Sequence, residues 1–484
     1  MRAILLYFLL GTGLLSLTGA SQAAYADIRL PRLVGSNMVL QRDLPIHIWG
    51  WADPGERISI SFHGKTYQVA ANGSGNWEVN LAKMKAGGPY EMILSGNNRI
   101  VLENILIGDV WVCSGQSNME WAVKRADNPE EEIRNANYPK IRLFTVKRTT
   151  AAVPQEDVSG QWEECSPETV ADFSAVGYFF GRAIHASQGV PIGLINSSWG
   201  GTVVETWTSL EGLQDEETFG SRAAAVRNLD TEAIKQPNSH PTLLYNGMVH
   251  PLINYPIKGA IWYQGESNAS RAYQYRDLFP RMIHDWRRKW NQGDFAFLFV
   301  QLANYKKTLE QPAPSDWAEL REAQDMTLRL RNTGMASAID IGEADDIHPR
   351  NKQEVGRRLA LAARKVSYGD KVIASGPRYK SMRIKGDEVI IRFSDVGEGL
   401  QTKDGGKRLE EFQLAGKDRA FQWAEAEIVN RNTVRVRASG IDQPVAVRFA
   451  WQDNPSKLNL YNSAGLPANP FRTDAWPGLT ADKK

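Results

Sequence analysis

Ile105-Leu106-Ile107-Gly108-Asp109-Val110-Trp111-Val112-Cys113 runs directly into Ser114-Gly115-Gln116-Ser117-Asn118-Met119. The first nine residues are almost continuously apolar, the pattern of a strand buried on both faces of a parallel sheet. The six that follow are small or polar, so the strand ends there and the chain turns toward a helix. A serine in that turn stands at a sheet's carboxyl edge, where the free amides of the following turn point at whatever its hydroxyl attacks. The same serine would also serve as a plain helix cap, a frequent role for this residue. The pattern is not the Gly-x-Ser-x-Gly elbow, because Met119 takes the final position.

Downstream, strand-like runs at Ile105–Cys113, Ile141–Val146, Ile192–Asn196, Lys258–Tyr263, Phe295–Gln301 and Met335–Ile341 alternate with helical stripes. One stripe is Val176, Phe179, Phe180, Ala183 and Ile184. A second is Leu278, Phe279, Met282, Ile283, Trp286 and Trp290, and a third is Val355, Leu359, Ala362, Ala363 and Val366. Such alternation predicts a mostly parallel α/β/α unit over residues 104–370, with ligand sites at the carboxyl ends of its strands. Residues 208–241 are charged and weakly periodic, and read as an inserted excursion beside the site. Ahead of this unit, residues 27–103 hold short alternating strands (Ile46–Trp49, Ile58–Phe62) punctuated by Asp53-Pro54-Gly55 and Asn72-Gly73-Ser74-Gly75. Behind it, residues 371–484 return to alternation at Val389–Phe393, Thr433–Arg437 and Val445–Phe449. The α/β centre is thus expected between two β domains.

Arg2, the apolar stretch Ile4–Leu17 and Ala24-Tyr25-Ala26 read as a cleaved secretory signal over residues 1–26, which predicts a periplasmic or secreted protein. No later segment is apolar enough to span a bilayer. The 57 basic and 55 acidic side chains nearly cancel, which gives no electrostatic case for nucleic acid or an anionic membrane. An oxidising compartment permits a bridge between Cys113 and Cys165, but Cys113 ends the buried run, which favours an unpaired thiol. The 15 Trp, 15 Tyr and 16 Phe suit both cores and the faces of sugar rings.

A serine in such a turn needs a base. Of seven histidines, His47 and His63 fall in the leading β unit, and His185 and His284 on helices. His348, in Asp345-Asp346-Ile347-His348-Pro349, follows the strand Met335–Ile341 and precedes the last helical stripe, so it too stands at a carboxyl end. A carboxylate three residues earlier, Asp345, is placed to curl back onto Nδ1 and leave Nε2 to take the serine proton. The acidic pair would equally decorate a helix start. No Cys/His cluster has zinc spacing, and the two His-Pro pairs at His240 and His250 are ten apart rather than four. No metal or cofactor is expected.

Four ordered blocks make the chain similar to the SGNH hydrolase superfamily and, within it, to the sialate O-acetylesterase-like carbohydrate esterases. They are Gly115-Gln116-Ser117-Asn118-Met119-Glu120-Trp121, Ser198-Trp199-Gly200-Gly201-Thr202, Trp262-Tyr263-Gln264-Gly265-Glu266-Ser267-Asn268, and Asp345-Asp346-Ile347-His348-Pro349. The resemblance implies a three-layer, flavodoxin-like SGNH domain and an acyl-enzyme mechanism on an O-acetylated carbohydrate. Ser117 would be the nucleophile, His348 the base and then the acid, and Asp345 its orienting carboxylate. The N–H of Ser117, an amide of Gly200 or Gly201, and the Gln264 side chain would form the oxyanion hole. The broader superfamily has an Asn where this chain has Gln264. Gln116, Asn118, Trp262 and Glu266 are candidate substrate contacts, with Trp121, Trp199 and Trp207 as possible pocket walls. The resemblance leaves the sugar open between sialic acid and plant polysaccharides such as xylan. A rival of another class is a carbohydrate-binding protein without activity.

Overall fold

The computed structural model describes residues 27–228, 230 and 234–484; the expected signal, residues 1–26, lies outside them. The apolar run Ile105–Cys113 is part of a longer strand, β1 (Arg99–Gly115). After it come β2 (Tyr138–Thr145), β3 (Trp162–Cys165), helix α1 (Ala175–Gln188), β4 (Ile192–Ser198), β5 (Gly259–Tyr263), helix α2 (Ala272–Trp290), β6 (Ala296–Gln301), helix α3 (Asp316–Met326), β7 (Thr333–Ser337) and helix α4 (Lys352–Ser367). The sheet order is β7-β6-β5-β1-β4-β2-β3. All pairs are parallel except the edge strand β3, which runs antiparallel to β2. This is an α/β fold, as the alternation predicts.

The predicted stripes are the buried faces of the helices. Val176, Phe179, Phe180 and Ile184 of α1, Leu278 to Trp290 of the α2 stripe, and Val355, Leu359, Ala362 and Ala363 of α4 all lie in one continuous core. Strand alternation sorts those helices to different neighbours. Trp111 meets Phe180 of α1, while Trp262 meets Phe279 and Trp286 of α2. Cys113 and Cys165 are both buried and unpaired. The last expected strand was to run to Ile341 but stops at Ser337. Beyond it the chain turns, with Ile341 N–H donating to the Ala338 carbonyl, and Ile339 packs with the C-terminal β core instead.

The leading β unit is joined to the centre by β1 itself. Residues 99–107 pair antiparallel with Gly87–Ser95, and Leu106–Gly108 pair in parallel with Val39–Gln41. From Asp109 onward the same strand pairs with β4 and then β5. One 17-residue strand therefore serves two sheets, and it crosses the expected boundary near residue 104. The trailing β unit has its own core, including Val389, Ile391, Phe393, Val434 and Val436. The fully buried Arg321 of α3 fastens that unit to the centre. Its guanidinium donates to the carbonyls of Leu302 and Ala303 on one side and Gln452 and Asp453 on the other, at 2.8–2.9 Å. Among the described residues no helix is long and apolar enough to cross a membrane.

Candidate active site

β1, β4 and β5 deliver the first three blocks side by side at their carboxyl ends, on either side of the point where strand order reverses. Gly115 ends β1 at φ +135°, with Tyr263 backbone where a Cβ would stand, so only glycine fits there. Gln116 N–H then donates to the Tyr263 carbonyl, and a one-turn helix, Ser117–Glu120, begins. Ser117 is the first residue of that turn, and its own N–H has no partner in it. Ser174, the cap of α1, holds the far end of the turn by donating to the Met119 carbonyl at 2.6 Å.

His348 arrives from the loop after β7. Its Nε2 lies 2.9 Å from Ser117 Oγ, although 231 residues separate the two in sequence. Trp121 stacks on the imidazole, with ring centroids 4.9 Å apart and planes 16° from parallel. Burial holds the imidazole below its ordinary pKa. The Asp346 carboxylate pulls it upward, while Lys352 and Arg125 push it further down.

The carboxylate beside Nδ1 is that of Asp346, not Asp345. Asp346 Oδ1 is 3.2 Å from Nδ1 and also accepts the His348 N–H at 2.9 Å. Asp345 is exposed and makes no side-chain hydrogen bond among the described residues. The reason is local: an aspartate two residues before an amide closes a tight side-chain turn onto it. In this loop that turn brings Asp346 against the ring.

Comparison with known proteins gives this arrangement its family. Residues 107–365 match the family model described as carbohydrate esterase, sialic acid-specific acetylesterase. The chain belongs to that carbohydrate esterase family. It is 32% identical to the sialate O-acetylesterase of Homo sapiens over 511 residues, covering 95% of each chain. It is 31% identical to that of Mus musculus, covering 95% of this chain and 97% of the relative. A crystal structure of a carbohydrate acetylesterase from Xanthomonas citri superposes with a TM-score of 0.86 at 42% identity, covering 93% of this chain and all of that one.

Within this esterase the expected oxyanion donors are not all free. Gln264 is fully buried, and its NH₂ donates to the Thr202 carbonyl (3.1 Å) and to Asn268 Oδ1 (2.6 Å). Its Oε1 accepts from the Tyr275 hydroxyl at 2.9 Å. Both amide protons are therefore occupied, and Gln264 ties the glycine loop after β4 to the loop after β5. Gly200 is also engaged, its N–H donating to Glu120 Oε2 at 3.0 Å. The other oxygen of that carboxylate is held by Arg148, whose guanidinium lies over the Trp199 ring. The Gly201 N–H has no hydrogen-bond partner among the described residues.

Gln116, expected as a substrate contact, is better placed as a donor. It is 3% exposed, and its Oε1 accepts from the N–H groups of Gly265 (3.3 Å) and Ser267 (3.4 Å). That anchoring fixes the amide's orientation and leaves its NH₂ without a protein partner beside Ser117. Trp262 and Trp207 are fully buried core residues, and so wall no pocket. Asn118 is 1% exposed and bonded to protein on every side, and Glu266 has a carboxylate oxygen shut away from solvent. The other Glu266 oxygen, Oε1, accepts from Asn118 Nδ2, so both side chains are engaged within the protein.

Sequence reasoning missed Asp346, the Glu120–Arg148 pair and Lys352, and it named Trp121 as a pocket wall without its stacking on the imidazole. Only Asp346 had a local signal, the Asx spacing to residue 348. The others depend on which loops meet.

Proposed function

We propose that this carbohydrate esterase removes acetyl groups from a sugar through a serine acyl-enzyme. Its centre would be the three-layer SGNH domain that the four blocks suggest. Ser117 attacks the acetyl carbonyl while His348 Nε2 takes its proton. His348 then returns that proton to the departing sugar oxygen, and water releases acetate by the same route reversed. Asp346 orients the imidazole and stabilises its charged form, with Trp121 stacked behind it. The N–H of Ser117, the N–H of Gly201 and the Gln116 NH₂ hold the developing oxyanion. The 2.9 Å contact between Ser117 Oγ and His348 Nε2 carries this reading.

The first substrate to test is an O-acetylated sialic acid, on the strength of the relatives matched along 95% of the chain. The higher identity to the Xanthomonas citri carbohydrate acetylesterase supports, as a second reading, an acetylated carbohydrate other than sialic acid, with acetylxylan as the polysaccharide to test. Residues 1–26 would export the enzyme to the periplasm or beyond. Ser117→Ala should lower hydrolysis of an aryl acetate by at least about 10³-fold. Acetate released from O-acetylated sialoglycan and from acetylxylan by the wild type separates the two substrates. Near wild-type turnover by Ser117→Ala would overturn the mechanism.

A further inference from the structure

Directly behind the nucleophile lies a buried charged network with no part in the proton transfer described above. Asn118 follows Ser117 in sequence and is 1% exposed. Its Nδ2 donates to Glu266 Oε1 at 2.7 Å and to the Ile347 carbonyl at 3.0 Å. Its Oδ1 accepts from Lys352 Nζ at 2.5 Å. Turning the amide over would set its oxygen against two acceptors, so this orientation is fixed by its neighbours. Ile347 immediately precedes His348, and Lys352 lies four residues after it. Asn118 therefore grips the histidine loop at both ends while sitting beside the serine.

The ammonium of Lys352 is fully buried, 5.7 Å from the Trp121 ring centroid and 5.4 Å from that of Tyr263. Glu266 Oε2 is out of solvent with no hydrogen-bond partner. Burial pulls the Lys352 pKa down to about 7, against the opposing pull of Glu266, Asp346 and Glu343, and burial pushes the Glu266 carboxyl up. A buried cation and carboxylate separated by an amide are a poor source of stability. Apolar or neutral replacement of such pairs is often neutral or stabilising, whereas breaking one side alone is costly.

We propose that Lys352, Asn118 and Glu266 form a positioning clamp that locks the nucleophile's turn to the histidine's loop and sets the Ser117–His348 contact. The clamp rests on the acyl-enzyme reading. None of the three residues is catalytic: Lys352 and Glu266 act through Asn118, and Asn118 acts through the main chain on either side of the reacting atoms. Lys352 also faces His348 electrostatically, together with Asp346 and Arg125.

The test is the double variant Lys352→Met/Glu266→Gln, which removes both charges and leaves an acceptor for Asn118. With an aryl acetate, kcat should fall about 10- to 100-fold with KM within about 2-fold, the scale expected of a misplaced reacting pair. The melting temperature should change by no more than a few degrees, because the loss of two buried charges offsets the Asn118 Oδ1 left without a donor. The acid limb of kcat/KM should move to higher pH, because a positive neighbour of His348 has gone. A residue with a packing role alone would move the melting temperature and leave that limb in place. Should the double variant fail to fold, Asn118→Ala, which cuts all three bonds, is read by the same kcat and KM split. Wild-type kcat with an unmoved acid limb, or wild-type kcat in Asn118→Ala, would overturn the clamp. Ser117→Ala assayed in parallel separates the two ideas: an inactive Ser117→Ala beside a fully active clamp variant sinks the clamp alone.

Discussion

Asp345→Asn and Asp346→Asn, compared in one assay, ask which carboxylate serves the histidine. As His348 takes the serine proton, its imidazolium gains the attraction of the carboxylate beside Nδ1, here 3.2 Å away and 39% exposed. Two unit charges about 4 Å apart attract by roughly 1 kcal/mol in bulk water and ~4 kcal/mol at an effective dielectric of 20. Partial exposure puts Asp346 between these limits, at about 1.5–3 kcal/mol. That corresponds to a fall in kcat/KM of roughly 10- to 150-fold for Asp346→Asn. The loss is smaller than the ~10⁴-fold seen where a triad aspartate is buried. Asp345→Asn removes an exposed carboxylate with no hydrogen bond and should stay within about 2-fold of wild type. Initial rates of aryl acetate hydrolysis from pH 4 to 9 would show both effects. Asp346 raises the His348 pKa, so its neutralisation should also carry the acid limb of kcat/KM to lower pH. A larger loss in Asp345→Asn than in Asp346→Asn would refute this reasoning and restore the Asp-x-x-His pairing that the sequence suggested.

In the wild type, burial holds His348 below its ordinary value of 6.5, and the base must be neutral to accept a proton. Activity is therefore expected to be full at neutral pH and to fall only on acidification, with a kcat/KM midpoint below 6.5; a midpoint above 7 would contradict the geometry. Gln116→Ala should lower kcat about 10²–10³-fold with little change in melting temperature, as loss of one oxyanion donor does. Gln264→Ala should instead act on folding, destabilising by about 2–4 kcal/mol in urea titration because it strands the Thr202 carbonyl, Asn268 and the Tyr275 hydroxyl. Arg321→Met leaves the Leu302 and Gln452 carbonyls without a donor, while Ala303 keeps the Trp317 indole N–H and Asp453 keeps the Tyr305 N–H, and should cost at least about 2 kcal/mol by the same titration.

Periodicity located the six main strands and the core faces of three long helices, because burial on a sheet imposes a pattern that survives in sequence. The alternation at Thr433–Arg437 likewise matches the strand there, where Val434 and Val436 are buried and Arg435 and Arg437 are not. The meeting of Ser117 with His348 was legible for a related reason, since both stand just past the ends of parallel strands. What could not be read was the choice among equivalent groups. Asp345 and Asp346 differ by one position, and only the loop's turn geometry decides between them. Gln116 and Gln264 carry the same amide, and only the partners waiting at each site show which is free. Trp262 and Trp121 look alike in their blocks, yet one points into the sheet's core and the other lies against the imidazole. Lys352 reads as an ordinary first-turn residue of α4, yet it is buried and donates to Asn118, 234 positions away.

The shared strand β1 has a consequence for how this molecule can be taken apart. Accessory modules are commonly strung on linkers, and can be trimmed or exchanged without disturbing the catalytic body. Here the front module's ladder and the serine's footing belong to one rigid rail, hydrogen-bonded along its length. A chain starting at Asn104 would lose the rail's first five residues and the strand whose Gly87 and Tyr90 pair with Ile107 and Ile105. The front half and the reacting centre can therefore be inherited, engineered or unfolded only together.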